Sequence, residues 1–429
     1  SDKNKKFKNI RSTILLHQVI VLIKSKGFFI ASNSYSNYPY TGLSTAIHLQ
    51  HSSHDITLIE AHSIAWGASG RNGGHVLPLI RKDPKAIIAQ LGIEQGERLI
   101  RMVGESADYV FSLINRYGID CDAEQNGWIQ AIHSQQQLAI SSKRFEQWQH
   151  YDADMAMLDR QQLAELMGSE AYLGGMLVKS GGHINPLAFA RGLARVAVEN
   201  GINIFTDTPA MTIEQIDKRW QIKTRMGTIT ANKVVFATAA YSDALWPGLQ
   251  KSFLPFYLYN ISTKPLDSAV RSAVLPGRQP VTDSRGDAHV FHYDGAGRLI
   301  TGGTFIFPVN WENRLIKHAK QILSTTFPQL ESPEFELQHI WRGKIAMTTD
   351  VLPHVHELAP NVYSWIGCNA RGIALSTRMG AVLADAVNEV SIQDWPLQPV
   401  KMEVIPAHTF SRLMTSIMLA YYRVRDKFM

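Results

Sequence analysis

The chain has 429 residues, 45% of them hydrophobic and 19% charged, so it is long enough for a large core and about two domains. Its formal net charge of +6 is carried by residues 1–54, so the rest of the chain is electrically neutral and gives no support for nucleic-acid binding. Two cysteines, Cys121 and Cys368, predict no disulfide framework and favour a reducing compartment, which we take to be the cytoplasm.

Residues 1–39 are predicted to be an atypical leader. A lysine-rich start precedes the apolar run 15–23, as in a signal peptide, but His17 and Gln18 interrupt the run and it is too short to span a bilayer, so we expect no stable membrane insertion. A recognisable pattern starts abruptly at Tyr40. The leader is therefore either divergent or, as we favour, translated from another reading frame, a hypothesis that one intact frame without glycine codons at 37 and 39 would contradict.

The stretch 40–76 carries the main motif. Gly42 is predicted to open a helix, and residues 55–60, DITLIE, are predicted to form a strand that ends at Glu60. A glycine at a helix start and an acidic residue about 20 positions later are typical of the second half of a dinucleotide-binding βαβ unit. In such a unit the helix N-terminus faces a pyrophosphate, and the carboxylate accepts hydrogen bonds from ribose hydroxyls.

The phosphate turn before this helix is altered. The pattern G-x-G-x-x-G would place glycines at 37, 39 and 42, whereas the chain has Asn37, Pro39 and Gly42. Proline has no N–H to donate and its ring occupies space that the pyrophosphate needs, while asparagine tolerates positive φ better than most residues. We therefore predict a recognisable site with weakened cofactor retention.

The downstream elements alternate between helices and strands. Helices are predicted over 85–117 and 136–168, and the range 181–205 is predicted to contain a turn, a helix from Pro186 and a strand. Short strands over 208–238 are predicted to return to a parallel sheet, and 253–310 to form a separate antiparallel sheet. Further strands are predicted after Glu334, and one final amphipathic helix over 373–388. This interleaving predicts a nucleotide-binding domain made of separated segments, with a second domain inserted between them.

Six segments together resemble a known class of enzymes. They are TGLSTAIHL (41–49), DITLIEA (55–61), GASGRNGGHV (67–76), VVFATAAYSDAL (234–245), WRGKIAMTTDVLPHV (341–355) and GCNARGIALSTRMG (367–380). Their order and spacing resemble the D-amino-acid-oxidase/glycine-oxidase class of FAD-dependent oxidoreductases, nearest the γ-glutamylputrescine oxidase-like branch. One departure is Ala370, where the branch usually carries glycine.

The resemblance implies an α/β fold with a discontinuous Rossmann-like FAD-binding domain and an inserted antiparallel-sheet substrate domain. The FAD-binding domain would comprise 40–84, 170–250 and 336–390, the substrate domain 85–169 and 251–335, and a C-terminal segment 391–429. The residues implied in FAD binding are Gly42, Glu60, Ser69, Gly70, Arg71, Asn72, Gly73, Gly74, Ala210, Ala237, Thr238, Gly367, Arg371 and Gly372.

Within that set, backbone N–H groups of 69–74 would wrap the pyrophosphate and ribityl chain. A helix starting at Gly372 would point its N-terminus at the flavin, where its partial positive charge stabilises the reduced anion. Arg371 either adds charge there or is a solvated loop arginine, and Ala370 is costly if its backbone needs positive φ.

The candidate catalytic residues are Lys344 and Arg371, although the catalytic group itself is not identified. Lys344 either contacts flavin N5 or faces solvent on its strand. Tyr257, Tyr259 and Trp341 either line a substrate cavity or belong to the core.

Metal binding is the rival interpretation of the histidines. His354 and His356 with Glu357, and His48, His51 and His54, are close in sequence, but neither group has a metal-ligand spacing, so we predict no metal site.

The resemblance implies oxidation of a C–N bond in a small-molecule amine or amino acid. Hydride would pass from the substrate carbon to flavin N5 and give an imine, with the cofactor supplying the chemistry. The specific substrate, the choice between oxidase and dehydrogenase and the oligomeric state stay open. The alternative is a non-catalytic remnant of this fold with impaired FAD binding, which Asn37 and Pro39 favour; a folded protein without flavin absorption bands would support it.

Overall fold

Two large β-sheets with helices packed on them organise the chain. The structure, a computed structural model, describes residues 18–24, 27–33, 39–52, 54–305, 311–330 and 335–425. The helices in these ranges are α1 (Pro39–His48), α2 (Ala68–Arg71), α3 (Pro84–Leu91), α4 (Ile93–Gly104), α5 (Ser106–Tyr117), α6 (Gln135–Gln149), α7 (Arg160–Met167), α8 (Pro186–Glu199), α9 (Ser268–Ala273), α10 (Trp311–Thr326), α11 (Gly372–Val387) and α12 (His408–Arg425).

The strands fall between these helices along the whole described chain. They are β1 (Gln18–Lys24), β2 (Gly27–Asn33), β3 (Asp55–Glu60), β4 (His75–Val76), β5 (Trp128–Ile132), β6 (Met155–Leu158), β7 (Gly174–Val178), β8 (Gly182–His183), β9 (Asn203–Phe205), β10 (Ala210–Ile216), β11 (Arg219–Thr224), β12 (Gly227–Ala231), β13 (Lys233–Phe236), β14 (Leu254–Pro265), β15 (Val281–Asp283), β16 (Val290–Tyr293), β17 (Arg298–Phe305), β18 (Leu337–Met347), β19 (His354–Ala359) and β20 (Val362–Ile366).

The first sheet has the order β19-β20-β13-β1-β2-β3-β9. The pairs β2–β3, β3–β9 and β13–β20 are parallel, while β1 runs antiparallel to both β13 and β2. Strand β2, helix α1 and strand β3 form the βαβ unit, and β13 returns to the parallel sheet after the β10-β11-β12 meander, as predicted. The predicted Rossmann-like α/β class is confirmed.

The second sheet has the order β18-β14-β17-β16-β15-β5-β7-β6. Its pairs are antiparallel except β15–β5, so the predicted antiparallel sheet over 253–310 extends to strands from earlier and later in the chain. The division into domains stays a prediction. Strands β7 and β18, which that division places with the FAD-binding segments, pair in this second sheet.

The two long predicted helices are interrupted. The range 85–117 contains α3, α4 and α5, because Gly92 at φ +80° cannot continue a helix and Glu105 separates the next two. The range 136–168 contains α6, strand β6 and α7, with Asp152 in the left-handed region before the strand. The helical prediction was correct for the parts of both ranges that form helices. It was wrong at Gly92 and Glu105, where helices end, and over strand β6.

The helix predicted to open at Gly42 begins at Pro39 instead. Proline is compatible with a first helical turn, where its fixed φ fits and its missing N–H has no intrahelical partner to lose. Residues 31–33, within the predicted atypical leader, end strand β2. Asn37 lies outside the described residues.

The end of the chain also differs from the prediction. Helix α11 confirms the helix expected over 373–388, but it is buried on most sides rather than amphipathic, because α1, α4 and α5 all pack on it. Helix α12 follows it and was not predicted. No described helix combines the length and apolar composition that a bilayer crossing requires.

Helices α1 and α11 interlock through small hydroxyl residues. Thr41 Oγ1 donates to the Ser376 carbonyl at 2.9 Å, and Ser44 Oγ donates to the Thr377 carbonyl at 2.7 Å. A β-carbon at Gly380 would lie 2.5 Å from the Ser44 β-carbon, so only glycine allows the helices to approach this closely. This contact brings the N-terminal regions of both helices to one side of the first sheet.

Candidate functional site

A cavity lies where α1, the loop after β3, the start of α11 and the second sheet meet. It contains about 1020 Å³ of empty space, part of it open to solvent. The predicted site residues that line it are Arg71, Asn72, Gly73, Tyr259, Lys344, Arg371 and Gly372. Lining residues that sequence reasoning missed include Tyr40, His75, Arg81, Asn260, Thr282 and Thr304.

The loop 67–76 is held in shape by one amide side chain. Asn72 Oδ1 accepts the Gly74 N–H at 2.9 Å, and Asn72 Nδ2 donates to the Ser69 carbonyl at 2.8 Å and to Tyr40 Oη at 3.2 Å. Tyr40 Oη donates to the same Ser69 carbonyl at 2.6 Å. Asn72 therefore fixes the loop against helix α1, in addition to lining the cavity.

The glycines of this loop serve two different purposes. A β-carbon at Gly70 would lie 2.1 Å from the Ala65 carbonyl oxygen, and Gly74, at φ +77°, would place one 2.4 Å from the Ile184 carbonyl oxygen. The fold itself therefore requires glycine at both positions. Gly73 is different, since its nearest neighbour would be a side-chain oxygen at 3.3 Å and it lines the cavity.

The N-terminus of α11 adjoins the cavity. Gly372 and Ile373 line it, and no side chain caps the helix, so the first-turn N–H groups carry the partial positive charge of a helix start. Ala370, just before this helix, has φ +65°. Its backbone therefore does adopt the positive φ that is costly for alanine. Holding alanine rather than glycine in this conformation costs roughly 1 kcal/mol.

The cavity wall is strongly basic. Arg71, Arg81, Lys344 and Arg371 line it, and no aspartate or glutamate is among its described lining residues. Burial, with the charges of Arg81 and Arg144, lowers the pKa of Arg371 to about 9, and burial lowers the pKa of Lys344 to about 8. A cluster of cations without carboxylates is costly unless an anion binds there.

Arg81 and Arg371 are two of the four cations that line the cavity. Arg81 Nε donates to the Asn369 carbonyl at 3.1 Å, and the residue is exposed. The partly buried Arg371 has its guanidinium carbon 5.7 Å from the Trp128 ring centre, and its Nε has no hydrogen-bond partner among the described residues. Arg371 is thus a cavity residue and not a solvated loop arginine.

The remaining candidates on the second sheet separate into lining and supporting residues. Lys344 lines the cavity, with its Nζ 4.5 Å from the Tyr241 ring centre, and is not a solvent-facing strand residue. Tyr259 lines the cavity, whereas Tyr257 packs in a cluster beside α10. Trp341 donates through Nε1 to the Arg71 carbonyl at 3.0 Å, so it supports the loop rather than the cavity wall.

The other predicted residues for cofactor binding do not line this cavity. They are Gly42, Glu60, Ser69, Gly70, Gly74, Ala210, Ala237, Thr238 and Gly367. Glu60 is buried at the end of β3 and accepts the His62 N–H at 3.1 Å, and its own carbonyl accepts the Thr208 N–H at 2.9 Å two residues before Ala210. Glu60 and Ala210 are thus brought near each other at one edge of the first sheet.

His75 is the imidazole of the cavity wall. Its Nδ1 lies 3.2 Å from Thr282 Oγ1 and its Nε2 lies 3.2 Å from His292 Nδ1. Burial, with the nearby His183 and Arg371, lowers the pKa of His75 to about 3. A neutral imidazole with both nitrogens engaged is not suited to accept a substrate proton.

The chain is similar to curated bacterial oxidoreductases along most of its length. It is 29% identical over 395 residues to a γ-glutamylputrescine oxidoreductase of Escherichia coli, covering 90% of this chain and 91% of the relative. It is 26% identical over 398 residues to the probable oxidoreductase OrdL of Haemophilus influenzae, covering 91% and 90%. Among solved structures, a glycine oxidase from Geobacillus kaustophilus shares the fold, with a TM-score of 0.66, 20% identity and coverage of 82% and 92%.

The residues present fit FAD at the flavin end. The loop 67–76 offers close backbone approach, the uncapped start of α11 offers N–H groups, and the cations suit an anionic reduced flavin. Where the phosphates of FAD would bind, helix α1 begins with buried residues, but Pro39 has no N–H to donate. The sequence model for the family described as DAO, FAD dependent oxidoreductase, matches residues 40–386, and the chain belongs to this family of FAD-dependent enzymes.

Proposed function

We propose that this chain oxidises the C–N bond of a small amine or amino acid that carries a carboxylate, bound in the basic cavity. The observation that carries the proposal is the group Arg71, Arg81, Lys344 and Arg371 without a lining carboxylate. When bound, FAD supplies at its N5 atom the acceptor for the hydride from the substrate carbon, which leaves an imine for water to hydrolyse.

Arg81 and Arg371 are the residues proposed to hold the substrate carboxylate. Both line the cavity, and Arg371 has a donor without a partner among the described residues. A guanidinium binds a carboxylate through paired hydrogen bonds, which would fix the orientation of the carbon that reacts. Lys344 and the start of α11 are proposed to face the flavin, where their positive charge favours its reduced anion.

The cavity offers no evident general base among its described lining residues. His75 is held neutral by burial and hydrogen-bonded at both nitrogens. The other titratable lining side chains are cations, Tyr40, Tyr259 and Cys368, and burial raises the pKa of Tyr40 well above its usual value and the pKa of Cys368 to about 11. The amine would therefore react as its neutral form after losing a proton to solvent. A positive cavity assists this loss because it destabilises a substrate ammonium group.

The relatives agree with an amine substrate. The curated Escherichia coli protein is named for γ-glutamylputrescine, and the related Bacillus subtilis protein is a glycine oxidase. We propose a γ-glutamyl amine as the first substrate to test, with glycine as the second. We also propose the roles in FAD binding that the family resemblance implies, and the division into an FAD-binding and a substrate domain.

The Arg371→Met variant tests the carboxylate site. We expect kcat/KM for a carboxylate-bearing amine to fall about ten- to hundredfold, because one charge-assisted hydrogen bond contributes roughly 1.5–3 kcal/mol. An amine of the same length without the carboxylate should react equally with both proteins. The measurement is anaerobic flavin reduction followed by absorption, after FAD affinity has been determined for each protein.

The exposed arginine Arg225 provides the control, since Arg225→Met removes a charge without touching the cavity. Equal losses with both amines would assign Arg371 to the flavin and contradict the carboxylate site. A folded parent protein that shows no flavin absorption after incubation with FAD would instead favour the non-catalytic remnant.

Glu60 is proposed to bind the ribose of the adenosine half. It ends strand β3, it is buried, and it lies 18 residues after Gly42. Glu60→Ala should weaken FAD binding about a hundredfold or more, since two hydrogen bonds to a charged group contribute roughly 1.5–3 kcal/mol each. Titration of FAD against flavin fluorescence measures this, and unchanged affinity in a folded variant would refute the assignment.

A further inference from the structure

We propose that Asp287, His289 and His318 form a binding site for one zinc ion, outside the flavin cavity. His289 Nε2 lies 3.0 Å from Asp287 Oδ1, and His318 Nε2 lies 3.4 Å from Asp287 Oδ2. One ligand atom from each of the three residues lies within 4.8 Å of the other two. Zinc bonds of about 2.0–2.1 Å in a tetrahedron separate ligand atoms by about 3.4 Å, so small side-chain rotations would complete the site.

The second nitrogen of His289 has the partner that a metal-binding imidazole needs. His289 Nδ1 lies 3.1 Å from Asp283 Oδ2, and the His289 backbone N–H donates to Asp283 Oδ1 at 3.0 Å. Arg285 also pairs with Asp283, at 2.6 Å, which holds this fully buried carboxylate in place. A carboxylate behind a histidine fixes the tautomer that leaves Nε2 free to bind a metal.

The other nitrogen, His289 Nε2, provides an independent observation. Only 9% of His289 is exposed, and its Nε2 has no hydrogen-bond partner among the described residues. The Asp287 carboxylate is its ion-pair partner there, with Oδ1 3.0 Å away. His289 Nε2 and Asp287 thus face each other in a buried position, and two imidazoles with one carboxylate are a zinc ligand set.

The alternative is a protonated His289 between two carboxylates. Burial opposes the charge, but Asp283 and Asp287 outweigh it and raise the pKa of His289 to about 10. His318, on α10, pairs with the same Asp287 carboxylate, with its Nε2 3.4 Å from Oδ2, so two imidazoles meet at one carboxylate. With 30% of its side chain exposed, His318 also gives an ion a route from solvent.

The location suggests a structural role. The Asp287 carbonyl accepts the Thr304 N–H at 3.0 Å, and both Ala288 and Thr304 line the cavity. An ion held by Asp287, His289 and α10 would fasten the cavity wall from behind. Zinc undergoes no redox change, so this site is independent of the oxidation proposed above.

The test uses the full chain, stripped with a chelator and then given zinc or cobalt(II). We expect one zinc per chain by plasma mass spectrometry, visible cobalt absorption typical of tetrahedral coordination, and a higher Tm with zinc. His318→Ala should remove all three effects, and Asp283→Asn should weaken zinc binding about ten- to hundredfold. His339→Ala, a change at an exposed histidine of the same sheet, should alter none of them.

Two results would overturn the proposal. The first is the absence of stoichiometric zinc and of a cobalt spectrum in the folded parent protein, which would leave the protonated ion pair as the explanation. The second is zinc binding that is equal in His318→Ala and His339→Ala. If His318→Ala does not fold, Asp287→Asn serves in its place, since it keeps the side-chain shape and removes the charge.

Discussion

The Gly73→Val variant is expected to remain folded and to lose most of its affinity for FAD. Gly73 lines the cavity, and a β-carbon there would meet only a side-chain oxygen at 3.3 Å, so the protein alone accommodates the change. The added methyl groups would occupy space proposed for the flavin or its ribityl chain. Overpacking of this kind costs about 1–3 kcal/mol, or about ten- to hundredfold in affinity.

Flavin absorption and FAD titration measure the effect, and circular dichroism with Tm measures folding. Gly104→Val is the matched control, because Gly104 lies in helix α4, away from the cavity, and its nearest neighbour to an added β-carbon is 3.9 Å away. A Gly73→Val protein that binds FAD as the parent does would show that the loop is only a surface connection. Gly74 is not a suitable substitute, since its positive φ confounds folding with binding.

Restoring glycine at both altered positions of the phosphate turn is expected to tighten FAD binding. In the Asn37→Gly/Pro39→Gly variant a backbone donor returns at 39 and the proline ring is removed. One or two hydrogen bonds to a charged group contribute roughly 1.5–3 kcal/mol each, so affinity should rise about tenfold to more than a hundredfold. The strand that must precede the turn is present, as β2 pairs in parallel with β3.

The measurement is FAD titration of the parent and the double variant, with the parent expected largely without cofactor after purification. Pro39 is the first residue of α1, so its loss should also lower helix stability slightly. Pro84→Gly controls for this, because Pro84 holds the same position at the start of α3. Tight, stoichiometric FAD in the unmodified parent would show that the turn is remodelled rather than broken.

The sequence was sufficient where a local pattern determines the structure. The strand ending at Glu60, the helix from Pro186 and the start of α11 at Gly372 were all predicted from periodicity and turn residues. The family motifs also singled out Lys344 and Arg371, and both line the cavity. These features depend on residues that are neighbours in the chain.

The sequence was insufficient where distant segments meet. Arg81 belongs to no motif, and only the packing of its loop against the segment before α11 places it beside Arg371. His289 and His318 are 29 residues apart, in different elements, so the predicted absence of a metal site did not consider them together. Strand β6 was hidden inside a helical pattern because pairing with β7 outweighs the local preference.

The interlock of α1 and α11 has a consequence for synthesis. The hydroxyl-to-carbonyl bonds that Thr41 and Ser44 make with α11 join residues more than 330 positions apart. Until the ribosome has released the chain through Gly380, helix α1 lacks α11, although α8 and β3 can already pack on it. The first sheet therefore stays only partly covered until nearly the whole chain has been synthesised. Contacts between residues this far apart in the sequence also make folding slow. During that delay an exposed parallel sheet is vulnerable to aggregation, so production of this protein should benefit from slow expression at low temperature.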